Sequence, residues 1–133
     1  MIFIDTSAIV AILRDEPDAS RFAAKIQAER ERICGPHVIL EASMRLSTLS
    51  GLAPTAADAE VTRALRAASV AVVPITEQVA HVAVAAFERY GKGRKSRAGL
   101  NFGDCLSYAC AKVHGARLLF KGGDFVHTDI ANA

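Results

Sequence analysis

Short β-prone segments alternate along the chain with longer helical segments, and this alternation constrains the fold more than any other feature. The strand-like segments are Ile2–Ile4, 32–35, 70–75 and 116–121. The spacing between successive segments is long enough for a helical crossover and far too long for a tight hairpin. Strands joined in this way pair in parallel through right-handed connections. The sequence therefore predicts an α/β fold, a three-layer α/β/α domain with a short parallel sheet.

Residues that start or stop helices bound the segments between the strands. The predicted start signals are Asp5, Pro17 as a first-turn proline, a capping box of Thr55 with Asp58, Thr76 and Asn101. The predicted stop signals are Gly51 and Gly115. The run 70–75 is almost continuously apolar and β-branched, which is typical of a strand covered on both faces.

Size, apolar runs and cysteine content narrow the class of protein. A chain of 133 residues is long enough for one continuous core, so we expect a single domain, 1–133. No apolar run approaches the roughly 18 residues that span a bilayer, and no signal peptide is evident, so we expect a cytoplasmic protein with no membrane contact. The three cysteines form no C-x-x-C pair, which favours buried thiols over a disulfide framework or a zinc site.

A cluster of basic residues interrupts an otherwise mildly acidic chain. Five cations lie within nine residues that contain no acid: Arg89, Lys92, Arg94, Lys95 and Arg97. The formal net charge is +2, so the rest of the chain carries −3. Glycine and serine residues lie between these cations, which predicts a mobile loop. The loop is either a solvated surface or a phosphate-binding patch.

Four acidic residues stand where a parallel sheet would bring them to one edge. Asp5 follows the first strand, Glu41 lies within the third helix, Asp104 lies in the first turn of the last helix, and Asp124 follows the last strand. Each has an ordinary alternative: Asp5 starts a helix, Glu41 faces solvent, Asp104 suits the helix dipole, and Asp124 sits in a turn. Only their predicted convergence points to a site.

Converging carboxylates repel one another, and a bound divalent cation compensates that repulsion. Oxygen ligands without supporting His or Cys favour Mg²⁺ or Mn²⁺ over Zn²⁺. Such a site suits phosphodiester hydrolysis, because the metal activates a water and stabilises charge on the phosphate. Thr6 or Ser7 would hold the metal's water or a carboxylate in place, or would simply cap the helix. A phosphatase built on a strand-end Asp is disfavoured, since Ser7 stands where its second Asp is needed.

Four stretches occur in the order and spacing of a known family: "FIDTSAIVAIL", "HVILEASMRL", "LNFGDCLSYACAK" and "LLFKGGDFVHTDI". The chain resembles the PIN-domain ribonucleases, and closely the VapC toxins of VapBC toxin–antitoxin pairs. The resemblance implies a PIN-like fold with Asp5, Glu41, Asp104 and Asp124 as the catalytic acids. Asp5 and Asp104 would be the direct metal ligands, with Thr6 in support. Gly123 departs from the family's usual acid or amide before "DF", which leaves Asp129 as a competitor for the fourth place.

The same resemblance implies a function and a set of partners. We expect an Mg²⁺- or Mn²⁺-dependent endoribonuclease, the toxin of a type II pair, with the basic loop binding RNA. A VapB-type antitoxin would cover the acidic crevice, where Asp5, Glu41, Asp104 and Asp124 converge, and would place an Arg against these acids. The chain would contact operator DNA only through that antitoxin, and it would form a homodimer. The alternative is a catalytically silent PIN-like RNA- or antitoxin-binding module acting in a repressor complex, although four retained acids argue against it.

Two aromatic residues flank Asp104, and they have two alternative roles. Phe102 and Tyr108 are expected to pack in the core, and base stacking by one of them is the alternative. Cys110 and His114 lie one helical turn apart, but no further ligand adjoins them, so a metal role is not expected.

Overall fold

The computed structural model describes all residues, 1–133, as a four-stranded parallel sheet with helices packed on it. The strands are β1 Ile2–Ile4, β2 Arg32–Cys34, β3 Ala71–Val72 and β4 Arg117–Leu119. The helices are α1 Thr6–Leu13, α2 Ala19–Ala28, α3 Pro36–Ser50, α4 Pro54–Ala67, α5 Glu77–Tyr90 and α6 Phe102–Val113. The strand order is β3-β2-β1-β4, which confirms the predicted three-layer α/β/α architecture.

The core is built around β1, the first segment of the chain. Ile2, Phe3 and Ile4 are completely buried, because β1 is central in the sheet and helices cover both of its faces. Phe3 lies in register with Ile33 of β2 and with Leu118 of β4. All strands run in the same direction, so their carboxyl ends meet at one edge of the sheet. That edge is where the candidate site lies.

Three local predictions are wrong. The run 70–75 forms only the two-residue β3, an exposed edge strand, because it pairs with β2 alone and Pro74 follows. No Thr55–Asp58 capping box forms, because Pro54 occupies the first turn and Ala53 becomes the N-cap. Pro17 is not in a first turn either, since α2 begins at Ala19 with Asp18 as its N-cap.

The cysteine prediction agrees with the structure. Cys34, Cys105 and Cys110 are all free and buried, and Cys34 belongs to β2. No helix has the length and apolar character needed to cross a membrane.

Candidate active site

Asp5 ends the central strand and begins α1. Its backbone N–H donates to the Leu119 carbonyl oxygen at 3.0 Å, which carries the pairing with β4 one residue further. Its carboxylate caps α1 by accepting from the Ser7 backbone N–H at 3.0 Å, and it also accepts from the Ser7 hydroxyl at 2.6 Å. The other carboxylate oxygen accepts from the Ser107 hydroxyl of α6 at 2.8 Å. The side chain is therefore buried and held in one orientation by three hydrogen bonds from its own protein.

Glu41 lies on α3, and its carboxyl group rests against the first turn of α6. A Cβ atom at Gly103 would lie 2.1 Å from the Glu41 Oε1 atom, so only glycine permits this approach. The pKa of Glu41 is raised to about 7, chiefly by burial and also by the charges of Asp5 and Asp104, against a lowering by Arg45. The carboxyl group is thus held in a partly dry position beside two other acids.

Asp104 is the third residue of α6 and closes a capping box with Asn101. The Asn101 backbone N–H donates to Asp104 Oδ2 at 3.0 Å, and the Asp104 N–H donates to Asn101 Oδ1 at 2.9 Å. The pKa of Asp104 is raised to about 6, chiefly by burial and also by the charges of Asp5 and Asp124, against a lowering by the Asn101 hydrogen bond. Asp104 Oδ1 accepts no hydrogen bond from the protein, so it is available to a ligand.

Asp124 reaches the same edge from the loop after β4, where its side chain is exposed. Two neighbours anchor that loop: the Lys121 backbone N–H donates to the Ser7 hydroxyl at 2.9 Å, and Phe125 is buried. The charge of Asp124 raises the pKa of Asp104, so the two carboxyl groups lie within electrostatic range. Asp5, Glu41 and Asp104 therefore lie within electrostatic range of one another, and Asp124 lies within electrostatic range of Asp104.

Asp129, the competing fourth acid, is engaged elsewhere. Its carboxylate accepts from the Tyr108 hydroxyl at 2.6 Å and from the Lys112 ammonium at 3.1 Å, and it pairs with Arg89 at 3.8 Å. The Tyr108 hydrogen bond is the largest cause that lowers the pKa of Asp129. The residue ties the C-terminal segment to α6 and α5, and its charge is not among the causes that shift the pKa of Glu41 or Asp104.

The four acids fit a hard divalent cation, although they do not form a closed ligand cage. No three His, Cys, Asp or Glu side chains are arranged as a ready metal-binding group. A magnesium-type ion needs only one or two carboxylates and keeps several waters, so an open arrangement suits it. Beside Asp5, the Thr6 hydroxyl oxygen is buried without any hydrogen-bond partner. A free polar atom next to mutually repelling carboxylates is what a hydrated cation would use.

Comparisons with known proteins identify the family of this chain. The PIN domain family matches residues 2–131. A VapC ribonuclease of Mycobacterium bovis is 47% identical over 128 residues, which cover 96% of this chain and 95% of the relative. The chain belongs to the VapC family of PIN-domain proteins. PIN-domain ribonucleases in general depend on a divalent metal ion.

Two solved structures of toxin proteins share the fold. The sarcin–ricin loop cleaving toxin VapC20 of Mycobacterium tuberculosis superposes with a TM-score of 0.76 at 19% identity, covering 100% of this chain and 98% of that one. A toxin–antitoxin complex from Klebsiella pneumoniae gives a TM-score of 0.69 at 16% identity, covering 97% and 93%. At these identities the likeness is one of fold alone.

In this VapC-family chain the basic loop ends directly before the capped start of α6. The Lys92 N–H donates to the Leu100 carbonyl and the Leu100 N–H to the Tyr90 carbonyl, both at 2.8 Å, which closes the base of the loop. Four of its predicted RNA-binding cations are exposed and make no ion pair: Lys92, Arg94, Lys95 and Arg97. Arg89 differs, because it is paired with Asp129 and lies over the Tyr90 ring.

The two aromatic residues near Asp104 have different environments. Tyr108 is buried, as predicted. Phe102 is 84% exposed, so the expectation that it packs in the core is wrong. Phe102 is exposed because it is the first residue of α6 and no other element of the fold covers its side chain.

Sequence reasoning missed three residues that shape this VapC-family site: Gly103, Ser107 and His37. Gly103 admits the Glu41 carboxyl group, and Ser107 donates to Asp5. His37 in turn contacts Ser107, with 3.0 Å between Nε2 and the hydroxyl oxygen. Helical spacing was the available signal, since His37 lies four residues before Glu41 and Ser107 three residues after Asp104.

Proposed function

We propose that the chain, acting as a single PIN-like domain 1–133 in the cytoplasm, is a metal-dependent endoribonuclease and the toxin of a type II toxin–antitoxin pair. Its relatives at 47% identity are named VapC ribonucleases. The observation that carries the proposal is the gathering of Asp5, Glu41 and Asp104, in which the charge of Asp5 raises the pKa of both Glu41 and Asp104. Such repulsion is costly without a cation to offset it.

Asp5 and Asp104 would hold an Mg²⁺ or Mn²⁺ ion directly, while Glu41 and Asp124 would act through water. When bound, it makes a coordinated water more acidic and stabilises negative charge on the phosphate. Ser7 orients Asp5, and Thr6 offers its free hydroxyl to the hydration shell. Glu41 has a pKa near neutrality, which suits it to take the proton of the attacking water. Hydrolysis would join the oxygen of that water to phosphorus and break the bond to the leaving oxygen, with Glu41 holding the proton of the water.

The proposal is tested by incubating the purified, antitoxin-free protein with total cellular RNA. We expect cleavage with Mn²⁺ or Mg²⁺ and its loss when a chelator is added. Cleavage that persists in chelator would contradict the metal mechanism. RNA binding without cleavage of any RNA in the pool would instead favour the catalytically silent module.

The basic loop supplies phosphate contacts for RNA. In an Asp104→Asn background, which prevents cleavage, we expect Lys92→Gln with Lys95→Gln to weaken binding of a single-stranded RNA. Each lost phosphate contact lowers the slope of log affinity against log salt by about 0.7. Fluorescence anisotropy over a salt series measures both effects. The matched control is Arg63→Gln, because Arg63 is an exposed cation that pairs with Glu60 on α4. An equal loss of RNA affinity in this variant would contradict a specific role of the basic loop.

The partner is a VapB-type antitoxin whose segment covers the acidic crevice and places an Arg against the carboxylates, with operator DNA met only through it. A guanidinium paired with two carboxylates would relieve the same repulsion as the metal ion. This predicts competition: the antitoxin segment and Mn²⁺ exclude each other from the site. A small upstream reading frame overlapping this one would support the pairing.

A homodimer would form across the apolar groove between α3, α5 and α6. The groove has a volume of about 700 Å³, and its exposed side chains are Leu40, Ile75, Val84, Phe87 and Phe102. An exposed apolar patch of this kind is typical of an interface between protein chains. We expect Val84→Glu to shift the sedimentation equilibrium to the monomer. Val126 is a similarly exposed valine outside the groove, and Val126→Glu should leave the dimer intact. A wild-type monomer at all concentrations would disprove it.

A further inference from the structure

A chain of buried hydrogen bonds runs from α3 through α6 to the end of the central strand. His37 Nε2 lies 3.0 Å from the Ser107 hydroxyl oxygen, which lies 2.8 Å from Asp5 Oδ1. Ser107 is completely buried, and His37 is 8% exposed. No other polar side chain contacts Asp5 Oδ1, so this series of hydrogen bonds is the only support of that oxygen within the protein.

The positions of the protons follow from the groups involved. A carboxylate only accepts hydrogen bonds, so the single proton of the Ser107 hydroxyl points to Asp5. The hydroxyl oxygen must then accept from His37, which places the imidazole proton on Nε2. Burial lowers the pKa of His37 to about 4, so the ring is neutral and carries one proton only.

The other nitrogen of the ring agrees with this tautomer. His37 Nδ1 is buried and has no hydrogen-bond partner. If Nδ1 carried the proton, the structure would bury an N–H donor without an acceptor, and Nε2 and Asp5 would compete for one serine proton. The Phe3 ring stacks beside the imidazole, with 6.1 Å between ring centroids, and holds its plane.

A second chain of the same design supports the other oxygen of Asp5. The Lys121 backbone N–H donates to the Ser7 hydroxyl at 2.9 Å, and that hydroxyl donates to Asp5 Oδ2 at 2.6 Å. In both hydrogen-bond series an N–H donor outside the site determines the direction of a serine proton. The Asp5 oxygens are therefore held by two different parts of the fold, and the carboxylate cannot rotate without breaking one of these hydrogen bonds.

We propose that Ser107 and His37 are positioning residues for Asp5, a relay that fixes the orientation in which Asp5 meets a divalent cation. The inference rests on the proposed metal-dependent function, and it names residues outside the four acids. Hydrogen bonds behind a metal-binding carboxylate set its orientation, and their loss typically lowers metal affinity about 10- to 100-fold.

The test measures Mn²⁺ affinity without RNA, by electron paramagnetic resonance of free Mn²⁺. We expect Ser107→Ala and His37→Phe each to weaken Mn²⁺ binding by at least about 10-fold. His37→Gln retains an N–H donor at the place of Nε2 and restores most of the affinity. Adding His37→Phe to Ser107→Ala causes no further loss, because the relay is already broken.

Controls separate a positioning role from a purely structural one. Ser43 is a buried α3 serine that bonds the Ile39 carbonyl and does not face Asp5, so Ser43→Ala leaves Mn²⁺ affinity unchanged. Variants at Ser107 and His37 that shift the unfolding midpoint but bind Mn²⁺ as the wild type does would overturn the proposal. A wild-type protein that binds no Mn²⁺ would overturn it too.

A metal-independent readout completes the test. Nitrogen-15 NMR of the His37 ring is expected to show the proton on Nε2 and a slowly exchanging N–H signal that Ser107→Ala abolishes. A ring protonated on Nδ1 would overturn the relay. If Mn²⁺ affinity follows the relay but no RNA is cleaved, the nuclease proposal fails and the relay stands.

Discussion

Replacing Asp104 or Asp5 by Asn is expected to reduce RNA cleavage by at least about 100-fold, because a carboxylate ligand of the metal is worth several kcal/mol in the transition state. Asn keeps the size of the side chain and removes its charge. At Asp104 the amide oxygen can still accept from the Asn101 N–H, so α6 remains capped. The metal-free Asp104→Asn protein should therefore be at least as stable as the wild type, since a repelling charge is gone.

The matched control is Asp58→Asn on α4, where an exposed carboxylate accepts only from Thr62. It should retain wild-type cleavage under identical conditions. Wild-type rates in Asp104→Asn would contradict the assignment of this acid.

The same assay separates the two candidates for the fourth acid. We predict that Asp124→Asn slows cleavage, because its charge reaches Asp104. Asp129→Asn should act mainly on stability by releasing Tyr108 and Lys112. The reverse pattern would make Asp129 the fourth member.

The second large effect is on the pH dependence of stability in the metal-free protein. The pKa of Glu41 is raised from 4.5 in the unfolded chain to about 7 in the fold, so the fold favours its protonated form. The associated stability is fully present below pH 4.5 and is lost as the pH rises through about 7. Asp104 acts in the same sense, because its pKa is raised from 3.8 in the unfolded chain to about 6 in the fold.

Glu41→Gln isolates the effect of Glu41. Burial lowers the pKa of His37, so His37 changes the stability with pH in the opposite sense, but this contribution is the same in the variant and the wild type and cancels in their difference. We expect the variant to match the wild type near pH 5 and to exceed it by about 1–2 kcal/mol at pH 8, after allowance for solvent screening. Denaturant titration with a chelator present measures the difference. Adding Mn²⁺ should reduce it, since the ion offsets the charge of Glu41. A difference that is constant with pH would contradict the burial of a repelled carboxyl group.

Local sequence signals predicted the elements that position the site. The change from Ile4 to Asp5 marks the end of β1 and the start of α1, and Asn101 with Asp104 marks the start of α6. Both helix starts depend on residues that are close in the sequence, because nearby side chains cap the free N–H groups of the first turn. The convergence of Asp5 with Asp104 followed from the parallel topology alone.

The failures arose where a distant part of the chain decides the outcome. The run 70–75 has the composition of a central strand, but no further strand exists to cover its free edge, so only Ala71–Val72 pair. The Ser107 hydroxyl looks like any helical serine until the fold brings it to Asp5, more than a hundred residues earlier. Gly103 likewise shows its importance only through Glu41, which reaches it from α3.

The most direct test of the central claim, that these acids form a divalent-cation site, is calorimetric titration of Mn²⁺ into the metal-free protein. We predict saturable binding to the wild type and to Asp58→Asn, and a loss of at least about 10-fold in affinity for Asp5→Asn and Asp104→Asn. Equal Mn²⁺ affinity in the wild type and in Asp104→Asn, with both proteins folded, would contradict the account.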